Sequence, residues 1–210
     1  MATKENTVIR RFAFCGIALL LIILAGLPLL AQVPSSFSSD MRFASPKGMS
    51  GTGKLYFAGQ KVRMEMNAQG HNSIMISDQS RKIAYVVMPQ QKMYMEMSTD
   101  KPGPQRGPDW QAYDAANPCR SLRDTTCEKI GTEVVDGRMC NKWKFAGSSS
   151  SRTVWIDQKN GIPIKSLMSD GTTMELTNIK EGPQSASLFE VPAGYQKMDM
   201  GNMMRNAPRP

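Results

Sequence analysis

A single histidine, His71, occurs in 210 residues. A Ser–His–Asp arrangement would have to use it, yet it follows a Gln-Gly turn and no nucleophile elbow occurs anywhere. Zinc spacing is missing as well, because one histidine and the three scattered cysteines Cys119, Cys127 and Cys140 build no closed ligand set. Gly51-Thr52-Gly53-Lys54 ends like a phosphate loop, but it lacks the upstream glycine. Leu55 stands where a magnesium-holding hydroxyl is needed, and a strand follows in place of a helix. The carboxylates Glu65, Glu96, Glu133 and Glu175 alternate outward along strands and form no acid–base pair. The net charge of +8 is spread by alternation, without the basic stripe or reading motif of a nucleic-acid binder. The expectation is a chain that is not an enzyme and carries no cofactor.

What is present begins with targeting. Lys4, Arg10 and Arg11 precede an apolar run from Phe12 to Leu30, the pattern of a secretory signal. Cleavage after Ala31 gives an exported protein, in the periplasm or cell envelope. A run of this length is also close to the ~20 residues of a membrane span, so a retained N-terminal anchor helix is the alternative. Either way the positive charge before the run sends the rest of the chain across the membrane. The layout read from this is signal or anchor at 1–31, a polar lead-in at 32–39, one domain at 40–197 and a methionine-rich tail at 198–210.

Within the domain, polar and apolar residues alternate with period two, the mark of half-buried strands. Lys61-Val62-Arg63-Met64-Glu65-Met66 and Lys92-Met93-Tyr94-Met95-Glu96-Met97 show it most clearly. Eleven strands follow: 40–44, 54–58, 61–67, 73–77, 82–88, 92–98, 129–135, 138–145, 152–157, 162–168 and 172–179. Turn residues separate them, among them Gly59-Gln60, Asp136-Gly137, Asn160-Gly161 and Asp170-Gly171. Short helices are expected at 109–116, capped by Asp109 and stopped before Pro118, and as one turn at 185–189. Strands at ~4.8 Å spacing make a sheet far wider than two or three short helices can roof. The predicted fold is therefore mainly β, a curved antiparallel sheet curled into a half-open barrel with short lid helices.

Beyond the first segment lie three cysteines, Cys119, Cys127 and Cys140. The Asp136-Gly137 turn sets Val134 opposite Met139 and Ile130 opposite Trp143 as an inner face, with Cys140 facing Glu133 outside. Along a straight hairpin Cys127 then lies about 20 Å from Cys140, too far for a disulfide. The predicted bridge is Cys119–Cys127, which closes a short loop.

Methionine fills many apolar slots, 17 in the whole chain. Leu55, Phe57, Val62, Met64, Met66, Ile74, Ile76, Met93, Met95 and Met97 are read as one side of the sheet. That side is either ordinary core or the lining for an acyl chain, since flexible thioethers tolerate variable packing. Met198, Met200, Met203 and Met204 space soft thioethers closely, and a weak Cu(I) site in the tail is a further alternative.

The order of several motifs resembles the LolA/LolB-like group of envelope proteins, including its branch of exported domains of unknown function. They include Lys61 to Met66, Val87-Met88-Pro89-Gln90-Gln91-Lys92-Met93-Tyr94, Thr126 to Glu133 and Asp136 to Trp143. Val154-Trp155-Ile156-Asp157, Gly161-Ile162-Pro163-Ile164-Lys165 and Leu188 to Tyr195 complete the set. The resemblance implies a half-open barrel with a helical lid. It also implies, by analogy alone, a hydrophobic ligand such as a lipid or the acyl chain of a lipoprotein partner. The alternative is a structural or stress-related envelope protein that works through a protein partner.

Overall fold

Short turns between alternating segments force neighbouring strands to run antiparallel, and the register then decides which side chains share a face. The computed structural model describes residues 36–100, 113–115, 117–120, 125–147 and 151–198. The first half of the sheet is β1 (Ser36–Ala44), β2 (Ser50–Ala58), β3 (Lys61–Ala68), β4 (His71–Asp78), β5 (Ile83–Met88) and β6 (Met93–Ser98). The second half is β7 (Thr125–Val135), β8 (Arg138–Gly147), β9 (Ser151–Asp157), β10 (Pro163–Met168), β11 (Thr173–Glu181) and β12 (Gln196–Lys197). All belong to one open sheet in the order β12-β6-β5-β4-β3-β2-β1-β11-β10-β9-β8-β7. Neighbours are antiparallel except β12, which runs parallel to β6.

Each of the eleven segments read as a strand is one, and several start earlier. The expected polar lead-in at 32–39 gives way to strand at Ser36, because Ser36 to Ser39 pair with Leu55 to Ala58. The phosphate-loop-like Gly51 to Lys54 lies wholly within β2. Its glycines fit for a steric reason: a Cβ at Gly53 would sit 2.0 Å from the Glu65 carbonyl oxygen. Helix among the described residues is limited to two 3-10 turns, Pro89–Gln91 and Ala186–Phe189. Of the helix expected at 109–116, Tyr113 to Ala115 are not helical, and the rest lies outside the described residues. The segment 1–31 lies outside them too. No described helix is long and apolar enough to cross a membrane.

The two faces of the first half follow from register. Leu55 pairs with Met64 and Phe57 with Val62, while Met64 pairs with Met75. This Met64 face carries the main cluster: Phe37, Met41, Leu55, Phe57, Val62 and Met64 pack with Val135, Cys140, Trp155, Ile162, Ile164 and Leu176. The opposite, Arg63 face holds a smaller cluster in which Phe189 of the C-terminal 3-10 turn joins Ile76 and Val87. Arg63 fixes that turn by donating to the Leu188 carbonyl at 3.0 Å. β12 then reaches β6 through Gln196 N–H donating to the Lys92 carbonyl at 2.9 Å.

A third cluster anchors the segment that returns to the sheet before β7. Tyr113 packs with Phe145, Val154 and Ile156, and its ring stacks on Phe145 at 5.8 Å between centroids. Cys119 and Cys127 are joined by a disulfide, with 5.7 Å between their Cα atoms.

Two expectations about the β7–β8 hairpin are corrected. A bulge at Ile130 makes Lys129, not Ile130, the partner of Trp143. The hairpin also turns its other side inward: Ile130, Val134 and Met139 are 45%, 59% and 49% exposed, whereas Cys140 is fully buried. The cause is position, because β7 is the outer edge of the sheet and the core lies on the Cys140–Trp155 side.

Two outcomes follow. Met64→Ala empties a fully packed site and costs about 2–5 kcal/mol, whereas Met95→Ala, at a half-buried position outside all three clusters, costs well under half as much in denaturant titrations. Burial pushes the Cys140 thiol up to about 11, with the Asp157 charge adding to it. Cys140 therefore stays protonated and unreactive towards a disulfide reagent at pH 8 in the folded protein, and reacts fully once denaturant is added.

Candidate functional site

The residues expected to line a ligand divide into three groups. Leu55, Phe57, Val62 and Met64 are closed core, buried with side chains from the second half of the sheet, and Met66 packs partly buried against them. Ile74 and Ile76 are on the other side: Ile74 pairs with Glu65 and Ile76 with Arg63, so both belong to the Arg63 face. The slip arises at the β3–β4 turn. Gln69-Gly70 is a two-residue turn that pairs Ala68 with His71, and a count one residue longer reverses every side chain that follows. His71 itself is exposed at the start of β4.

The third group stays together. Met93, Met95 and Met97 lie opposite Met88, Val86 and Ala84 on β5, and Val86 lies opposite Met75 on β4. Among these, Met75, Val86, Met88, Met93, Met95 and Met97 are all half-buried. Val86, Met88 and the three β6 methionines belong to none of the buried clusters. The result is a strip of thioether and hydrocarbon along β5 and β6, about 14 Å long on β6. Met75, Val86 and Met88 are the residues that sequence reading missed, and a two-residue count at the β3–β4 turn would have found the first of them.

A wide hollow is on the other face. It encloses about 710 Å³ between β11 and β4. Its floor is two cross-strand rows. One runs from Thr177 through Asp40, Lys54 and Glu65 to Ile74, and the next from Glu175 through Arg42, Thr52 and Asn67 to Asn72. Two smaller hollows continue it along β1, one of about 390 Å³ beside Ser38, Tyr56 and Lys180, the other of about 380 Å³ beside Arg42, Thr52 and Ser50.

The electrostatics of this trough are specific. Asp40 accepts hydrogen bonds from Asn178 Nδ2 at 2.8 Å and Lys54 Nζ at 3.0 Å. The Asn178 bond first, then Lys54, holds the Asp40 carboxyl below its ordinary value, while the same contact raises Lys54. Glu65 accepts from Arg63 Nε at 2.7 Å. Asn178 has a positive φ of 53° at a bulge in β11, and its backbone N–H donates to Asp136 of the β7–β8 turn at 3.2 Å. Past β11, Lys165 lies opposite both Glu175 and Trp155 beside a bulge in β10, and the indole of Trp155, a member of the main cluster, carries the Lys142 and Lys165 ammonium groups at 4.6 and 5.3 Å. Trp155 Nε1 donates to Glu133 at 2.7 Å, the main reason that the Glu133 carboxyl is lowered.

For metals the described residues offer no group of three His, Cys, Asp or Glu side chains. Of the four tail methionines considered for Cu(I), Met198 ends the described chain, its N–H donating to the Tyr94 carbonyl at 2.8 Å. Met200, Met203 and Met204 lie outside the described residues.

Known proteins give the following likenesses. An uncharacterized conserved protein from Thermus thermophilus is 9% identical, with a TM-score of 0.56 over 79% of this chain and 90% of that one, which is a likeness of fold. The Pseudomonas aeruginosa MucA/MucB complex is 14% identical, with a TM-score of 0.49 over 80% of this chain and 60% of that chain. A LolA superfamily protein from Nitrosomonas europaea is 11% identical, with a TM-score of 0.34 over 76% of this chain and 92% of that one. No curated protein matches by sequence. A family model described as a domain of unknown function, DUF4412, matches residues 38–159, and the chain belongs to that family.

Proposed function

We propose that the protein is an exported, non-enzymatic binding module of the cell envelope that holds a hydrophobic ligand, a lipid or the acyl chain of a lipoprotein. The observation that carries the reading is the half-buried strip of Met88, Met93, Met95, Met97 and Val86 outside the packed core. An apolar chain laid along β6 removes hydrocarbon from water on both partners, at about 0.8 kcal/mol per methylene buried. Methionine suits the task because its three rotatable bonds let one surface fit chains of different length and kink. Leu55, Phe57, Val62 and Met64 serve this ligand only indirectly, by fixing β2 and β3 so that β4 to β6 are held in register. The N-terminal run, whether removed or kept as an anchor, delivers the domain to the compartment where such ligands occur.

In native mass spectrometry, protein isolated gently from the envelope carries acyl-chain adducts, and Met95→Glu removes them while Lys144→Glu on β8 does not. Ligand-free protein in every preparation sinks the reading.

A second reading, action through a protein partner, is favoured by Ile130, Val134 and Met139, which expose apolar surface on the edge hairpin. Val134→Asp then abolishes co-purification of one defined partner and leaves the acyl adducts untouched.

A further inference from the structure

The trough on the Arg63 face is unused by the acyl-chain reading, and its charges are unequally satisfied. Both carboxylates in its first row are already paired, Asp40 with Lys54 and Glu65 with Arg63. Glu175, which opens the second row, lies 3.6 Å from Lys165. Two cations are left over: neither Arg42 nor Lys180 forms an ion pair with a described residue. Both are exposed. The register separates them, since Lys180 lies opposite Ser38 and Arg42 is four residues further along β1, a spacing of about 14 Å.

Cross-strand pairing sets both cations on the trough side of the sheet. Arg42 stands between Glu175 and Thr52, and Lys180 is in line with Ser38 and Tyr56. The Lys180 charge also reaches Asp40, where it adds to the Asn178 and Lys54 contacts that hold the carboxyl down. Between the two cations stand hydrogen-bonding groups, Asp40, Lys54, Thr52 and Asn178, lining the joined hollows. The larger hollow is in the range of about 300–1,000 Å³ that ligand sites occupy. Ser39 lines the smaller hollow as well, but it pairs with Leu55, so register sets it on the Met64 side and its hydroxyl is given no role in this site.

We propose that this trough is a second binding site, for an elongated polar ligand bearing two oxyanions about 14 Å apart, one held by Arg42 and the other by Lys180. Arg42 presents a planar fork that grips an oxyanion in bidentate fashion, while Lys180 acts as a point charge. The paired Asp40–Lys54 group and Asn178 contact the body of the ligand between them. The site is on the opposite face from the methionine strip, so the two ligands do not compete for surface.

Carboxylate and phosphate share this chemistry, and two probes tell them apart: short polygalacturonate chains and short inorganic polyphosphate chains. Binding is measured by isothermal titration with protein isolated from the envelope, at low and at physiological salt. At least one probe binds, and the one that binds tighter names the oxyanion. Arg42→Gln and Lys180→Gln each weaken it at least fivefold, and the double variant weakens it by about the product. Lys144→Gln, outside the trough, leaves binding within twofold, and so does Met95→Glu, which keeps this result separate from that of the acyl-chain test. Failure of both probes overturns the proposal. Equal losses from Lys144→Gln and Arg42→Gln overturn it as well, because they mark unspecific attraction to a basic protein.

Discussion

The packing of the Leu55–Met64 pair against the far half of the sheet holds everything else in place. The main cluster draws side chains from eight of the twelve strands, β1, β2, β3 and β7 to β11, together with Ile162 from the turn before β10. No described helix shares in it. A sheet whose apolar face is not roofed by helices has to bury that face against its own other half. That single constraint fixes β1 between β2 and β11, and so brings Asp40 and Arg42 of β1 beside Lys54, Thr52, Thr177 and Glu175. The trough on the Arg63 face exists because the Met64 face is committed to the core.

The same constraint explains where burial gives out. Core packing is densest around β1 to β3 and declines towards β5 and β6, whose Met64-face residues belong to no buried cluster. At that end the chain invests instead in the opposite face, where Phe189 covers Ile76 and Val87 and β12 pairs with β6. The sheet thus switches its protected side from one end to the other. The methionine strip is the surface left over by that switch, and membership of DUF4412 with a fold shared by the Thermus thermophilus protein is consistent with an architecture that tolerates very different sequences.

Electrostatics act as fasteners at the seams. Arg138 is raised even though burial alone would lower it, because the Asp157 carboxylate at 2.7 Å and then Glu181 outweigh desolvation. Asp78 behaves likewise: burial works to raise its carboxyl, but hydrogen bonds from Ser80 and the Arg81 N–H prevail and lower it. A depressed carboxyl contributes stability above its ordinary value near 3.8, and that contribution is lost as the pH falls through the lower, folded value. The contact between the Asp136 side chain and Asn178 ties the β7–β8 turn to the β11 bulge, and through Asn178 to Asp40 in the trough.

The alternation of Lys61 to Met66 and Lys92 to Met97, broken by Gly, Asn and Asp turns, is enough to define eleven strands, their antiparallel pairing with sequence neighbours and the shortage of helix, because these are local properties of the chain. The short parallel β12 is not legible in it. Faces are legible only where turn length is read correctly: Leu55 with Met64 follows from Gly59-Gln60, but a turn one residue longer than Gln69-Gly70 puts Ile74 and Ile76 on the wrong face. The bulge at Ile130 and the inward turn of Cys140 leave no local mark, since they depend on β7 being an edge and on what packs beneath β8. Nor does alternation foretell that Arg42 and Lys180 remain unpaired while Lys54 and Arg63 find carboxylates. Lys54 and Arg63 pair with carboxylates on their own or the neighbouring strand, but what stands beside Arg42 and Lys180 is set by the register of β1 on β11, more than a hundred residues apart, and only the folded sheet brings those residues together.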